Sequence, residues 1–134
     1  MNQIDKKIMN QIDAIQYFIE KMDIEMVDAI LDNDLKYQEF EKSIFINKLQ
    51  NAFTTFIERG DTHLLSFDGR CDSCDKTKTG FTFVGNKSKN YMSIIFDTAD
   101  NRIKDLLECN YFINNISDLE LENRIFIDEE FLPF

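Results

Sequence analysis

The sequence lacks tryptophan and holds only one proline, four glycines and one histidine. With so little glycine and proline, a collagen-like or low-complexity chain is excluded. Positive charge is also scarce: 15 Lys and Arg stand against 25 Asp and Glu, which leaves a formal net charge of -10. Binding to a nucleic-acid backbone or to an anionic membrane would have to overcome repulsion between like charges. We therefore predict no nucleic-acid partner and no membrane partner.

Long apolar runs are missing as well. No apolar stretch reaches the roughly 18 residues that a transmembrane helix needs. Charged residues such as Asp5, Lys6 and Asp13 interrupt the N-terminal segment, which therefore lacks the apolar core of a signal peptide. The three cysteines are an odd number in a chain without a secretory signal, so reduced thiols are expected. These features predict a cytoplasmic protein.

Apolar side chains, by contrast, are plentiful. The chain is 43% hydrophobic and has 13 phenylalanines. A chain of this length buries about two thirds of its unfolded surface around a single core. We predict one α+β domain over residues 1–115, followed by an acidic, aromatic extension over residues 116–134 that packs on the domain or on a partner chain.

Three amphipathic helices are predicted ahead of the sheet. Apolar residues at steps of three and four from Met1 to Met22 indicate a long first helix. Asp23 is the candidate N-cap of a shorter second helix, and Ser43 is that of a third helix, which ends at Gly60. The residues turned inward by this pattern are Ile24, Val27, Ile30 and Leu31 in the second helix and Ile46, Leu49, Phe53, Phe56 and Ile57 in the third.

Alternating sequences predict the sheet. Leu35–Phe40 is a candidate short strand, and four longer strands follow from Thr62 to Phe112 as an antiparallel meander. An exposed loop from Arg70 to Thr79 separates the first two. The alternation groups His63, Leu65 and Phe67 in the first strand, Phe81 and Phe83 in the second, Met92, Ile94 and Phe96 in the third, and Ile103, Asp105, Leu107, Cys109 and Tyr111 in the fourth. We expect the last group to face the core.

The order of these elements resembles the cone-shaped fold of the nuclear transport factor 2 superfamily, which includes ketosteroid isomerase, scytalone dehydratase and the SnoaL-type polyketide cyclases. The resemblance is carried by ILDNDLKY, which ends at Tyr37, by the third helix ending at Gly60, and by the closing strand DNRIKDLLECNYF. It implies a curved sheet wrapped around a helix, a hydrophobic pocket at the open end, and a homodimer through the outer face of the sheet. Because the superfamily hosts enzymes, adaptors and immunity proteins, the fold does not name the chemistry.

Thiol and imidazole side chains raise the question of a metal. Cys71, Cys74, Cys109 and His63 are the residue types of a Cys3His zinc site. In a meander, however, the Cys pair and Cys109 lie at opposite ends of the sheet, roughly 15 Å apart at about 3.3 Å per residue. Zinc–sulfur bonds are about 2.3 Å long. We predict no metal and no cofactor. A shared zinc site is the alternative, and it requires the cysteine loop to fold back over the sheet.

A carboxylate and an imidazole are the candidate acid and base. Asp105 interrupts an apolar strand face, and His63 shares a face with Leu65 and Phe67, so both are candidates to point into the cone. A desolvated carboxylate there could act as a general base. The structural alternative is an Asp at the open rim and a hydrogen-bonded core His. The catalytic residues of ketosteroid isomerase cannot be matched to this chain residue by residue.

Aromatic content suggests the lining of a pocket, although most of the phenylalanines are expected in the core. The predicted pocket residues are Tyr17, Phe53, Phe56, Tyr91, Cys109 and Tyr111. We expect a non-catalytic module that binds a small apolar ligand or another protein. Two alternatives stay open: an isomerase-, dehydratase- or cyclase-type enzyme that uses Asp105 and His63, and an acidic immunity-type protein that binds another protein.

Overall fold

The computed structural model describes residues 10–70, 79–100, 102–108, 113–114 and 121–128. Within them the chain forms an α+β fold, as predicted. The helices are α1 (Gln11–Glu20), α2 (Ile24–Ile30) and α3 (Lys42–Glu58), and the strands are β1 (Lys36–Tyr37), β2 (Phe40–Glu41), β3 (Leu64–Arg70), β4 (Thr79–Gly85), β5 (Tyr91–Ala99), β6 (Arg102–Glu108) and β7 (Ile113–Asn114).

Side-chain caps fix where α1 and α2 begin. The side chain of Asn10 accepts a hydrogen bond from the backbone N–H of Asp13, at 2.9 Å. The Asp23 side chain accepts one from the N–H of Met26, at 3.2 Å, so the predicted cap of the second helix is confirmed. Each cap satisfies one of the N–H groups that a helix leaves free at its start.

Two predicted helix limits differ from the structure. The first helix was predicted to run from Met1 to Met22. Residues 1–9 lie outside the described part, and α1 ends at Glu20, since Met22 adopts a left-handed φ of 54°. Ser43 does not cap the third helix: α3 begins at Lys42, with Glu41 in the N-cap position and no side-chain cap bond. Gly60, with φ of 100°, follows the helix as predicted.

The predicted single strand Leu35–Phe40 is instead a hairpin of two short strands. Lys36 pairs with Glu41, and Tyr37 pairs with Phe40. The residues between them, Gln38 and Glu39, have φ of 54° and 70°. Two successive left-handed residues make the tight turn that matches the twist of paired strands. Because neither residue is a typical turn former, the sequence pattern does not indicate a hairpin here.

The predicted four-stranded antiparallel meander is confirmed. Neighbouring strands follow the order β6-β5-β4-β3-β7, and every pairing in this sheet is antiparallel. The short strand β7 adds to the far side of β3, where Asn114 pairs with Gly69.

One face of the sheet and the three helices enclose the core. The buried side chains of the central strands on this face are Phe81, Phe83, Met92, Ile94 and Phe96, as the alternation predicted. In β3, however, the core residue is Leu64, which is 1% exposed, whereas Leu65 is 41% exposed. The Ser66 hydroxyl, on the same face as Leu64, accepts from Gln16 of α1 at 2.9 Å. The group of His63, Leu65 and Phe67 therefore faces away from the helices.

The opposite face of the sheet is buried too. Thr82 is 0% exposed and Ser93 2%, although alternation turns both away from the helices. Their hydroxyl oxygens lie 3.3 Å apart across the β4–β5 pair. Val84 and Ile95 on this face are also buried. A single copy of the chain thus covers the middle of both faces.

A β-bulge in β6 overturns the predicted pattern of that strand. Ile103 pairs with Thr98 and Asp105 with Asp97, which leaves Lys104 as the extra residue. A bulge shifts the alternation by one residue. The two fully buried positions of β6 are consequently Ile103 and Leu106, whereas Leu107, expected to face the core, is only partly buried. The other members of that group, Cys109 and Tyr111, lie outside the described residues.

The free edge of β6 is closed by side chains. The backbone N–H of Ile103 donates to Oε1 of Gln11, on α1. The N–H of Leu106 donates to Oδ1 of Asp105, at 2.8 Å. Both groups would otherwise be open to another strand.

Candidate functional site

The sheet register separates the predicted acid and base. His63 immediately precedes β3 at the level of Gly85, whereas Asp105 lies on β6 beyond the level of Thr79. The two positions are three strand spacings apart, about 14 Å, and roughly 20 Å apart along the strands. A general acid and base that act on one group must both lie within hydrogen-bond reach of it. Asp105 and His63 therefore do not share a site.

Asp105 is occupied by backbone amides. Its Oδ1 accepts from the N–H of Gln38 in the β1–β2 turn, at 2.7 Å, and from its neighbour Leu106 at 2.8 Å. Burial raises the pKa of the Asp105 carboxyl, and these two hydrogen bonds act in the opposite direction. The carboxylate thus fastens the β1–β2 hairpin to β6.

His63 lies in a small polar network at the start of β3. Its Nδ1 is 3.1 Å from the hydroxyl of Thr62. Oδ1 of Asn86 accepts from the backbone N–H groups of Thr62 and His63, at 3.0 and 3.4 Å. This network ties the start of β3 to the β4–β5 turn.

Glu108 is a second occupied carboxylate, at the end of β6. Its Oε2 accepts from the N–H of Ile127 at 2.8 Å, and its Oε1 accepts from that of Asp128 at 3.1 Å. Burial raises the pKa of Glu108, and the two hydrogen bonds partly offset this effect. The side chain therefore holds the segment 121–128, called the strap below.

Asp61 is the third carboxylate whose oxygens are occupied by hydrogen bonds, and the residue is 3% exposed. Its Oδ1 accepts from the backbone N–H groups of Lys87 and Ser88, at 2.8 and 2.7 Å, and its Oδ2 accepts from the Ser88 hydroxyl at 2.6 Å. It organises the turn between β4 and β5. These three carboxylates share one arrangement: each binds backbone N–H groups of a segment distant in sequence.

The phenol of Tyr37 is also fully engaged. Its oxygen accepts from the N–H of Asp32 at 3.0 Å, and it donates to the Asp32 carbonyl at 3.4 Å. Burial raises the pKa of Tyr37 to about 12. A group that stays protonated and hydrogen-bonded in this way is suited to holding the loop after α2.

The four predicted pocket residues that the structure describes do not form one pocket. Phe53 and Phe56 are buried in the core, where Phe45, Phe83 and Phe96 also pack. Tyr17, by contrast, is 44% exposed and lies against the ring of Phe18. Tyr91 pairs with the strap through Arg124. Cys109 and Tyr111 fall outside the described residues.

Three cavities lined by described residues are partly open and have linings of mixed polarity. A groove of about 440 Å³ lies between the loop before β1 and the start of α3, lined mainly by Asn33, Asp34, Lys36, Glu41 and Lys42. A cavity of about 140 Å³ borders the Ala99–Arg102 turn. Another, of about 130 Å³, lies between α3 and the strap. None has the enclosed apolar lining expected of a site for an apolar ligand.

The zinc alternative falls mainly outside the described part of the chain, because it needs Cys71, Cys74 and Cys109. Residues 10–70, 79–100, 102–108, 113–114 and 121–128 contain no group of three His, Cys, Asp or Glu that could hold a metal ion. None of the helices described has the length and apolar character required to cross a membrane.

The strap docks between α3 and β5. The backbone N–H of Tyr91 donates to the carbonyl of Asn123 at 3.1 Å, and the backbone carbonyl of Tyr91 accepts from the N–H of Ile125 at 2.7 Å. These two hydrogen bonds form a parallel bridge between Tyr91 and Arg124. The side chains of Ile125 and Ile127 are buried and belong to the core. Lys48 of α3 lies 3.6 Å from the carboxylate of Asp128.

Sequence reasoning missed Asp61 and Glu108 as key polar residues. Asp61 directly follows a helix-ending glycine, a position that the sequence pattern assigns to a loop. Glu108 is a charged residue on an edge strand, where charged side chains are common, so its charge does not single it out. Their partners lie 19 to 27 residues away, so no local spacing indicates them.

No protein-family model, curated protein or solved structure matches the chain.

Proposed function

We propose that the chain is a non-catalytic protein-interaction module. The observation that carries this proposal is the use of three acids: the buried Asp61 and the partly buried Asp105 and Glu108 each bind the backbone N–H of a loop, hairpin or strap. A catalytic carboxylate needs free lone pairs directed at a substrate. In this chain Asp61 and Glu108 use both carboxylate oxygens, and Asp105 uses its Oδ1, to hold connecting segments in place.

The packing of the core supports an interaction role over an apolar ligand. Phe45, Phe56, Phe83 and Phe96 are fully buried between the helices and the sheet. In a cone-shaped fold this is the space that would otherwise form the pocket. Phenylalanine side chains that fill it leave the surface as the place for recognition.

We also propose a curved, cone-like sheet of the nuclear transport factor 2 type. The chain passes from Glu108 at the end of β6 to Ile113 at the start of β7 in five peptide units, which reach at most about 18 Å. In a flat sheet the two strands would be four spacings apart, about 19 Å, even before any offset along the strands. A curved sheet brings its two edges closer together and accommodates this short connection.

The homodimer remains part of the proposal, but its surface changes. The resemblance places the interface on the outer face of the sheet. Thr82 and Ser93, at the middle of that face, are already buried within one copy. A second copy would find no exposed side chain at these two positions, and we propose that the dimer uses another part of the molecule.

Sedimentation velocity of the fluorescently labelled full chain tests the interaction role. In an extract of the source cells, the chain should sediment as a discrete complex larger than its own 15.8 kDa. An apolar fluorescent dye should show no saturable binding to the purified chain.

A Phe53→Ala variant is the positive control for the dye, because removing this buried side chain of α3 opens a cavity in the core. If the wild-type chain binds the dye as well as this variant does, and sediments as a free monomer in the extract, the interaction role is wrong. A small-molecule-binding role then takes its place.

A further inference from the structure

The strap occupies a slot that binds mainly its backbone. The carbonyl of Lys89 accepts from the N–H of Glu122 at 2.8 Å, and Oδ1 of Asn90 accepts from the N–H of Asn123 at 3.1 Å. Tyr91 and Glu108 supply the remaining backbone contacts described above. Six polar atoms of the domain therefore hold the main chain of residues 122–128, in the manner of strand addition to a sheet edge.

Strap side chains contribute to the fit as well. Ile125 and Ile127 point into the core beside Ala52 of α3. Lys48 provides a cation for the acidic side chain of Asp128. The slot thus selects an extended segment with two aliphatic residues at alternate positions followed by an acid.

We propose that this slot is a strand-acceptor site and that its ligand, besides the chain's own strap, is the strap of a second copy. The resulting dimer exchanges residues 121–128 between two chains. It rests on the interaction role proposed above and names the segment and the surface involved. A swapped segment reproduces in trans every contact that it makes in cis.

Two other surfaces on which a second copy could pair are restricted in the described residues. The outer face is buried at Thr82 and Ser93. The free edge of β6 has its N–H groups at Ile103 and Leu106 bonded to side chains. The strap adds to β5 beside Tyr91, and a single parallel bridge joins the two segments there.

Electrostatic repulsion between two chains should make the exchange depend on ionic strength. The local contact between Lys48 and Asp128 is attractive, but each complete chain carries a charge of -10. Two such chains repel each other, and salt screens this repulsion beyond about 8 to 10 Å. Exchange should therefore be more extensive at high than at low ionic strength.

Complementation between two defective full-length chains tests the exchange. The double variant Ile125→Asp/Ile127→Asp prevents the strap from docking and leaves the residues of the slot unchanged. Lys48→Glu/Glu108→Gln weakens the slot and keeps the strap. Each alone should stay monomeric, and a 1:1 mixture should form a heterodimer of twice the 15.8 kDa chain mass, detected by light scattering.

A labelled peptide of residues 121–128 provides a second readout. It should bind the strap-defective chain at least tenfold more tightly than a peptide with both isoleucines replaced by Asp, and adding Lys48→Glu should weaken it further. Protected amides in β3 to β5 verify that the variant is folded. A folded variant that binds neither the peptide nor the slot-defective chain overturns the exchange.

If the strap-defective chain does not fold, the single variant Glu108→Gln takes its place. It removes one of the two oxygens that accept from strap N–H groups and leaves Ile125 and Ile127 unchanged. That chain should exchange differently tagged copies at least tenfold faster than the wild type. Equal exchange rates overturn the proposal. A wild-type chain that still sediments as a complex in extract would show that only the exchange is wrong and that the interaction role stands.

Discussion

The carboxylate of Asp61 lies directly against the backbone of Gly85. A Cβ atom placed on residue 85 would be 2.1 Å from Oδ2 and 2.5 Å from Cγ of Asp61. The absence of a side chain at Gly85 is therefore what allows Asp61 to reach the N–H groups of Lys87 and Ser88. Gly85 is needed here for space.

Gly85→Ala should destabilise the protein by about 3 kcal/mol, because the new methyl group overlaps a buried carboxylate and displaces its hydrogen bonds. Gly60→Ala is the matched control. Nothing lies within 4 Å of a Cβ at that position, so only its φ of 100° opposes the substitution, at about 1 to 2 kcal/mol. Urea denaturation measures both.

A double-mutant cycle isolates the clash. Asp61→Ala removes the carboxylate, so Gly85→Ala should cost at least about 1 kcal/mol less in that background than in the wild type. Additive effects of the two substitutions would contradict the steric explanation.

Acidification should stabilise the folded state through Glu108. Burial raises the folded-state pKa of this carboxyl above its ordinary value of 4.5, so the folded state binds the proton more tightly than the unfolded state does. Its contribution is fully present below about pH 4.5 and is lost as the pH rises through the folded pKa. The free energy of unfolding should therefore increase from pH 7 towards pH 5.

Glu108→Gln separates this effect from the general relief of repulsion in an acidic chain. The variant should show a shallower rise in stability over the same pH range, and Asp105→Asn should act in the same direction because the pKa of Asp105 is also raised. Identical pH profiles for the wild type and both variants would refute the assignment.

Tyr37 should ionise well above the ordinary pKa of a phenol. Its pKa is raised to about 12, so the folded state favours the neutral phenol. The stability it provides is fully present below pH 10 and is lost as the pH rises towards 12. Tyr37→Phe should cost about 1 kcal/mol at neutral pH, because it leaves the N–H of Asp32 without its acceptor. In an ultraviolet titration of phenolate, it should remove a step near pH 12.

Deletion of Lys104 should be tolerated better than deletion of Leu107 in the same strand. Without Lys104, Ile103, Asp105 and Leu106 would face Thr98, Asp97 and Phe96 in an uninterrupted ladder, and both buried side chains would keep their face. Deleting Leu107 moves Glu108 to the other face and away from the strap. Thermal unfolding followed by circular dichroism should show a higher midpoint for the first deletion; the reverse order would contradict the bulge assignment.

The sequence was sufficient where periodic burial dominates. The stripe of α3 and the alternation of β4 and β5 each place apolar residues on one face over many positions, and Asp23 and Gly60 mark boundaries by local chemistry. These features depend on neighbours in the chain. They predict helices, strands and the meander without knowledge of the tertiary structure.

Single-residue events were not predictable in this way. One extra residue, Lys104, reverses the inward positions of β6, and the left-handed pair Gln38 and Glu39 turns an apparent strand into a hairpin. The burial of both Leu64 and Thr82 also defeats an argument that assigns one face of the sheet to water. The candidate acid and base failed for the same reason, since register decides which residues of different strands meet.

The blocked edge of β6 bears on how this chain behaves at high concentration. Unpaired strand edges are templates on which identical molecules stack into fibrils, and a sequence with 13 phenylalanines offers many segments that could join such a stack. With Gln11 and Asp105 already bonded to the N–H groups of Ile103 and Leu106, an incoming strand finds no donors at these positions. Gln11→Ala should therefore shorten the lag before fibril formation while leaving the native fold recognisable.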